Sequence, residues 1–341
     1  FFFHAEAGIR DAQESRGLGD VYKRQAKRRD TGGHHHLWVD TIRGGTKSLM
    51  SNNTDAENSN ANRDMTFLAN GIRWNSNTGN ANASGGTYVV WCWKAGGTAV
   101  SNSDGTITSS VSANTEAGFS IVSFTGNATS GATVGHGLNK KPKWIIVKER
   151  GNTNDWTVYH ESLGYTGGGD TYVLFLNLEN DYGGGFAGGF NNTAPTSSVF
   201  SLGNSNETNR SGGSFIAYCW SEIPGYSKFG SYVGNGSSNG TFVYTGFRPA
   251  WIVIKNRDAG GYDWVLQDNK RSPFNLCDYK LNPNTNNTEA TDYDKLDMLS
   301  DGFKLKQNAA GSNANGTTYV YMAFAEQPGG VTPFEISANA R

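Results

Sequence analysis

The side chains able to do chemistry are few, and most fail on spacing. His34-His35-His36 is a short tract whose imidazoles could hold a metal, but no carboxylate or cysteine stands at ligand spacing and the tract has no copy elsewhere. His136 and His160 could serve a His–Asp–Ser hydrolase. That chemistry needs a nucleophile on a strained turn, and the chain has no Gly-x-Ser-x-Gly. The positions aligned with these histidines further along the chain hold Thr245 and Asp268, so neither histidine is repeated. Asp292, Asp294 and Asp297 offer oxygens at calcium-like spacing, without the glycine and terminal glutamate of an EF-hand loop. They read as a solvated loop. Glu161 and Asp170 could mimic the two carboxylates of a glycosidase, again with no counterpart in the next repeat. The glycine runs 167–169 and 183–189 are not followed by Gly-Lys-Ser/Thr and so are not phosphate loops. Of the three cysteines, Cys92 and Cys219 share one register with Ala323, which marks a small buried position. No disulfide and no Cys-x-x-Cys metal site is expected. The residues predict no catalytic group, no metal and no cofactor.

Aromatic side chains are the remaining interest. Exposed rings stack on the apolar faces of sugars while Asn and Asp bond the hydroxyls, and such aromatics are common at binding surfaces. The candidate ligand-binding residues are Trp156, Tyr159, Tyr165, Tyr182, Tyr262 and Trp264. Repetition of Trp156 as Trp264 favours a place in the core, with a ligand platform as the alternative. Tyr165 and Tyr182 are not repeated and lie in Gly-rich stretches, where loops carry function on a rigid scaffold.

The elements that must position these rings announce themselves by repetition. Pro142-Lys-Trp-Ile-Ile-Val-Lys148 recurs as Pro249-Ala-Trp-Ile-Val-Ile-Lys255. Each run is too short for a helix and rich in β-branched residues, so it reads as a buried strand. A closing strand occurs three times, at 86–93, 213–220 and 317–324, each an aromatic run led in by a small turn residue. Opening strands at 119–124 and 229–233 are followed by Gly-Asn turns. Asn-Gly at 70–71 matches Asp-Gly at 301–302, both turn formers that tolerate positive φ. The 341 residues thus divide into tandem modules. Residues 26–97 match the back half of one, 98–118 form a Ser/Thr/Gly/Asn-rich link, 119–225 and 229–329 are complete modules, and 330–341 is a tail. With 45 glycines and 12% aromatics, short strands joined by tight turns are expected. The predicted fold class is all-β, a tandem of β-sandwich modules of jelly-roll-like form, each large enough at about 105 residues to close its own core. Basic and acidic residues balance at 29 and 30, which gives no reason to expect a nucleic-acid partner or an anionic membrane. No run of eighteen apolar residues exists to span a membrane.

Residues 1–25 read as foreign to the protein. Ser15-Arg-Gly-Leu-Gly-Asp-Val-Tyr-Lys-Arg-Gln25 resembles a common transposase sequencing adapter translated in one frame, and His4–Asp11 resembles the primer that precedes it. On this reading the sequence is a conceptual translation of environmental DNA with its true N-terminus missing.

Thr133-Val-Gly-His-Gly-Leu138, Trp144-Ile-Ile-Val-Lys148 and Trp156-Thr-Val-Tyr-His160 together resemble a repeat found in structural proteins of tailed bacteriophages, marine phages in particular, where it is a domain of unknown function. Trp38–Gly45 and Tyr88–Gly97 extend the likeness to the truncated module. Phe247 and Thr245 replace Leu138 and His136 in the last module, so no role passes through the histidine. The resemblance implies a virion component, tail-fibre or tail-associated, with other virion proteins as partners and a host-surface glycan as ligand. A homotrimer is a candidate assembly. Two other expectations stand beside it: a spacer or capsid decoration without ligand, and a polysaccharide depolymerase. The resemblance transfers no catalytic residue.

Overall fold

A computed structural model describes residues 2–5, 23–59, 65–68, 71–75, 79–164, 172–181 and 188–325. The tail 330–341 and most of the segment read as foreign lie outside them. The described chain is nearly all β, built from antiparallel sheets packed as sandwiches.

The N-terminal module contains β1 (Phe2–Ala5), β2 (Lys23–Arg28), β3 (Leu37–Asp40), β4 (Leu49–Met50), β5 (Met65–Leu68), β6 (Gly71–Trp74) and β7 (Tyr88–Trp93). The middle module contains β8 (Val100–Asn102), β9 (Ser109–Asn114), β10 (Phe119–Thr125), β11 (Ala132–Gly135), β12 (Trp144–Glu149), β13 (Thr157–His160), β14 (Leu174–Phe175), β15 (Val199–Leu202) and β16 (Ser214–Trp220), with one short helix, α1 (Asn206–Asn209). The C-terminal module contains β17 (Ser227–Val233), β18 (Phe242–Tyr244), β19 (Pro249–Asn256), β20 (Val265–Asp268), β21 (Leu296–Leu299), β22 (Gly302–Leu305) and β23 (Thr318–Ala325).

One strand order serves all three main sheets: β1-β7-β2-β3-β4, β10-β16-β12-β13-β14 and β17-β23-β19-β20. The middle sheet is widened by β9 and β8, which pair outward from β10. These two strands occupy the stretch 98–118 expected to be a link. Ser109-Ser-Val-Ser-Ala-Asn114 lies next to the sheet edge, with Ser109, Val111 and Ser112 buried and Ser110, Ala113 and Asn114 half-buried. A small second sheet covers one face of each main sheet: β5-β6, β11-β15 and β18-β22-β21.

The repeated strands are apolar on both faces because both faces are covered. In β12, Ile145 and Val147 point into the sandwich beneath β11-β15, while Trp144 and Ile146 point the other way. In β19, Ile252 and Ile254 face the sandwich and Trp251 and Val253 face away. The side chains facing away meet. Trp91, Trp93, Trp144, Trp220, Trp251 and Phe324, from three different sheets, belong to one continuous core. The expectation that each module closes its own core is therefore corrected: beside the sandwich cores of the middle and C-terminal modules, all three modules contribute to a further core that they share.

Candidate functional site

The six aromatic candidates do not converge. Trp156 and Trp264 are fully buried just before β13 and β20. Each indole N–H crosses to the preceding module: Trp156 Nε1 donates to Met50 O at 3.0 Å and Asn53 O at 3.1 Å, and Trp264 Nε1 donates to Phe175 O at 3.0 Å. Tyr159 is buried on the sandwich face of β13, its ring 5.7 Å from Phe190. None of these three rings offers a face to a ligand, which corrects the platform expectation in favour of its alternative. Tyr262 is half-buried, and its carbonyl accepts from Lys255. Tyr165 and Tyr182 lie outside the described residues, as does Asp170.

The asparagine-rich excursion has a definite local task. Asn177 Oδ1 accepts the Trp156 N–H at 2.9 Å while its amide donates to Asp155. Asn284 does the same for Trp264 and Asp263, and Asn52 accepts from His36 N. Residues Asn52, Asn177 and Asn284 thus set the residue before each third strand, and His36 stands where the other modules have tryptophan.

The remaining polar candidates are tied up structurally. Asp294 pairs with Lys280 at 2.7 Å, Asp292 with Lys295 at 3.0 Å and Asp297 with Lys306 at 3.5 Å, so the three carboxylates point to three separate lysines. Among the described residues no group of His, Cys, Asp and Glu could hold a metal. Glu161 bridges Lys141 and Lys143. Cys92, Cys219 and Cys277 are free thiols.

Two of the three buried histidines, His160 and His136, are neutral for a geometric reason. In His160, Nδ1 accepts from Ser162 N–H at 3.0 Å, which leaves Nε2–H to donate to Tyr321 O at 3.2 Å. In His136, Nδ1 accepts from Leu138 N–H and Nε2–H donates to Thr196 O. Protonation would aim a second N–H at a backbone N–H, and burial opposes the charge. Both pKa values fall to about 4. An unfolded histidine takes up its proton near 6.5, so between pH 6.5 and 4 the unfolded chain binds more protons and stability falls as pH falls. Equilibrium urea unfolding of His136→Thr, which installs the residue found at position 245, should show a pH dependence shallower by up to about 1.2 kcal/mol per pH unit midway through that window. An unchanged slope would mean that His136 is charged in the native state.

A feature invisible in the sequence reading lies between the modules. Asp40 accepts from Arg43 Nε at 2.5 Å and from Tyr218 O–H at 2.8 Å, so the N-terminal module clasps the middle one. Arg43 reaches Glu57, which also pairs with Arg150 at 2.9 Å. The C-terminal module repeats the arrangement on the N-terminal one: Asp268 accepts from Arg271 Nε at 2.6 Å and from Trp91 Nε1 at 3.1 Å, and Glu289 joins Arg271 to Arg29. Between the middle and C-terminal modules His160 takes the aspartate's position, and Arg257 donates to Ser162 O at 2.7 Å. The contacts run N-terminal to middle, middle to C-terminal and C-terminal to N-terminal, a closed cycle. The signal was present as Asp-x-x-Arg at 40–43 and 268–271, followed in both cases by the matched stretches 49–57 and 281–289.

One surface is built differently from the rest. Every strongly exposed aromatic ring among the described residues belongs to the C-terminal module: Phe242, Tyr244, Phe274 and Tyr293. Phe242 and Tyr244 flank buried Val243 on β18 and point outward. Across the sheet Phe242 stands opposite Lys304, and Lys304 opposite Asp297. The Cys277–Leu296 bridge continues this register, setting Leu276 beside Asp297. The neighbouring row holds Tyr244, Gly302 and Leu299. Phe242 folds over Gly302, where an added Cβ would lie 2.9 Å from the ring. The result is an outward row that runs Phe242, Lys304, Asp297 and Leu276 across the sheet, with Tyr244 in the next row.

A family model described as a domain of unknown function, DUF7483, matches residues 24–328. The chain belongs to that family. No curated protein and no solved structure matches it. The match takes in every strand of this DUF7483 chain from β3 to β23 and all of β2 but its first residue, and it leaves β1 outside. Among the described residues no helix is long and apolar enough to cross a membrane.

Proposed function

We propose that this DUF7483 chain is a structural component of a tailed-phage virion, tail-fibre or tail-associated, and that it presents the outer face of its C-terminal module to a host-surface glycan. The phage assignment rests on the resemblance of the repeated motifs. The binding assignment rests on one observation: the exposed rings of Phe242 and Tyr244 lie on the outward face of the β18-β22-β21 sheet, in register with Lys304 and, beyond it, Asp297. Rings such as Phe242 and Tyr244 can stack on the apolar faces of sugars, and the Lys304 ammonium can bond hydroxyls. The ring of three modules serves as a stiff mount, since its repeated side chains are given over to packing. The same tying-up of carboxylates and histidines favours a binding or structural role over catalysis.

The test is a bacterial-surface glycan array probed with the whole chain and with Phe242→Ala/Tyr244→Ala. Saturable binding that the double variant loses, with its melting temperature within about 2 °C of the parent, is the expected result. Binding retained by the double variant would move the site elsewhere. No binding by a folded parent would leave the spacer or decoration reading.

A further inference from the structure

The register of the three main sheets makes their residues equivalent one by one. β2 pairs with β7 and β3 as β12 pairs with β16 and β13, and as β19 pairs with β23 and β20. Lys27 then corresponds to Lys148 and Lys255, and Arg29 to Arg150 and Arg257. The correspondence of type holds at Ala26, Lys27 and Arg29, with Val147 and Ile254 as the partners of Ala26, while Arg28 stands against Glu149 and Asn256. It fails abruptly at the three residues before. Lys23 takes the place of Trp144 and Trp251, Arg24 that of Ile145 and Ile252, and Gln25 that of Ile146 and Val253.

The surroundings were built for the apolar residues. Lys23 is 0% exposed, and its Nζ makes no hydrogen bond. It sits 3.5 Å from the centroid of Trp38 and 3.8 Å from that of Trp93. Burial drives its pKa well below the ordinary lysine value. Cation–π contact recovers part of the lost hydration, but a buried ammonium without hydrogen bonds is costly. A cavity of about 30 Å³ lies beside it, lined by Trp38, Trp93, Trp144, Trp220 and Trp251. The Lys23 side chain is slimmer than an indole, and Lys23 itself lines the cavity. Arg24 is 1% exposed on the other face of β2, its guanidinium 5.8 Å from the Phe67 ring, and burial lowers its pKa too.

We infer that positions 23–25 are the seats of a third Trp–Ile–Ile or Trp–Ile–Val triplet, and that Lys23-Arg24-Gln25 is foreign to the fold. The core shared by the modules is a site for three tryptophans, one from each of β2, β12 and β19, of which this chain supplies two. The inference stands on register and burial alone. It falls at the same junction, Gln25 to Ala26, at which the adapter-like stretch ends.

The experiment is thermal unfolding of the whole chain carrying Lys23→Trp, Arg24→Ile and Gln25→Val together. The triple variant should melt about 5 °C or more above the parent, because two buried basic side chains give way to apolar ones and a cavity is filled. A second variant guards against a general benefit of apolar residues. Arg24→Trp alone places an indole on the sandwich face and should give no rise. A triple variant that melts at or below the parent, or that fails to fold, would overturn the inference. So would an equal gain from Arg24→Trp.

Discussion

Asp268→Ala should cost the whole chain about 3–5 kcal/mol of unfolding free energy, and Asp268→Asn clearly less. The side chains of Asp268 and Arg271 are both 0% exposed, at 2.6 Å. Removing the carboxylate leaves the guanidinium Nε buried opposite nothing, and Trp91 Nε1 loses its acceptor in another module. Asp268 Oδ1 also accepts the backbone N–H groups of Lys270 and Arg271, so the turn after β20 loses its anchor. Glu289 still holds Arg271 Nη1 at 2.9 Å, which sets the upper bound on the loss. Asparagine keeps an oxygen for one donor but not the charge, so it recovers the turn and not the ion pair. Urea titration of both variants decides the matter. A loss under 1 kcal/mol for the alanine variant would mean that the clasp between the C-terminal and N-terminal modules carries no energy and that the ring is held by apolar contact alone.

What could be read from the sequence followed from burial on both faces of a strand. Pro142–Lys148 and Pro249–Lys255 predict strands because their apolar runs are continuous and begin at proline, and β12 and β19 lie there. The three closing strands are β7, β16 and β23. The same continuity could not say what covers the second face. A run such as Trp-Ile-Ile-Val is equally at home under a loop, a second sheet or another module, so the shared core went unread. The clasp was also hidden: Asp40 and Arg43, like Asp268 and Arg271, lie three apart at a strand end, a spacing common in turns and without a meaning of its own. β9 was missed because a serine-rich strand at a sheet margin looks like a linker when one face is wet. The repetition of Trp156 as Trp264 favours packing, and the loop candidates Tyr165 and Tyr182 lie outside the described residues. Phe242-Val-Tyr244 did carry the alternation of a half-exposed strand, with the aromatic residues as the outward set, an inversion that hydropathy alone reads the wrong way round.

Residues 98–225, expressed alone, should give no cooperative unfolding transition, while the whole chain should unfold in one. The excised piece keeps the complete seven-stranded sheet and the β11-β15 cover, so its sandwich interior would be intact. Its other face would be stripped. Twelve buried residues of the shared core, from Phe119 to Trp220, come from this module. Full burial of one large apolar side chain contributes roughly 1.5–3 kcal/mol. If about half of that burial is against the other two modules, on the order of 10–15 kcal/mol is lost. A domain of this size holds only about 5–15 kcal/mol in total. The polar terms point the same way: Trp156 Nε1 loses Met50 O and Asn53 O, Arg150 loses Glu57, and Lys148 Nζ loses Thr54 O. Circular dichroism and dye binding on the fragment would show residual strand with exposed apolar surface. A sharp two-state melt of the fragment would mean instead that the sandwich interior suffices, and that the three modules are beads that happen to touch rather than one cooperative ring.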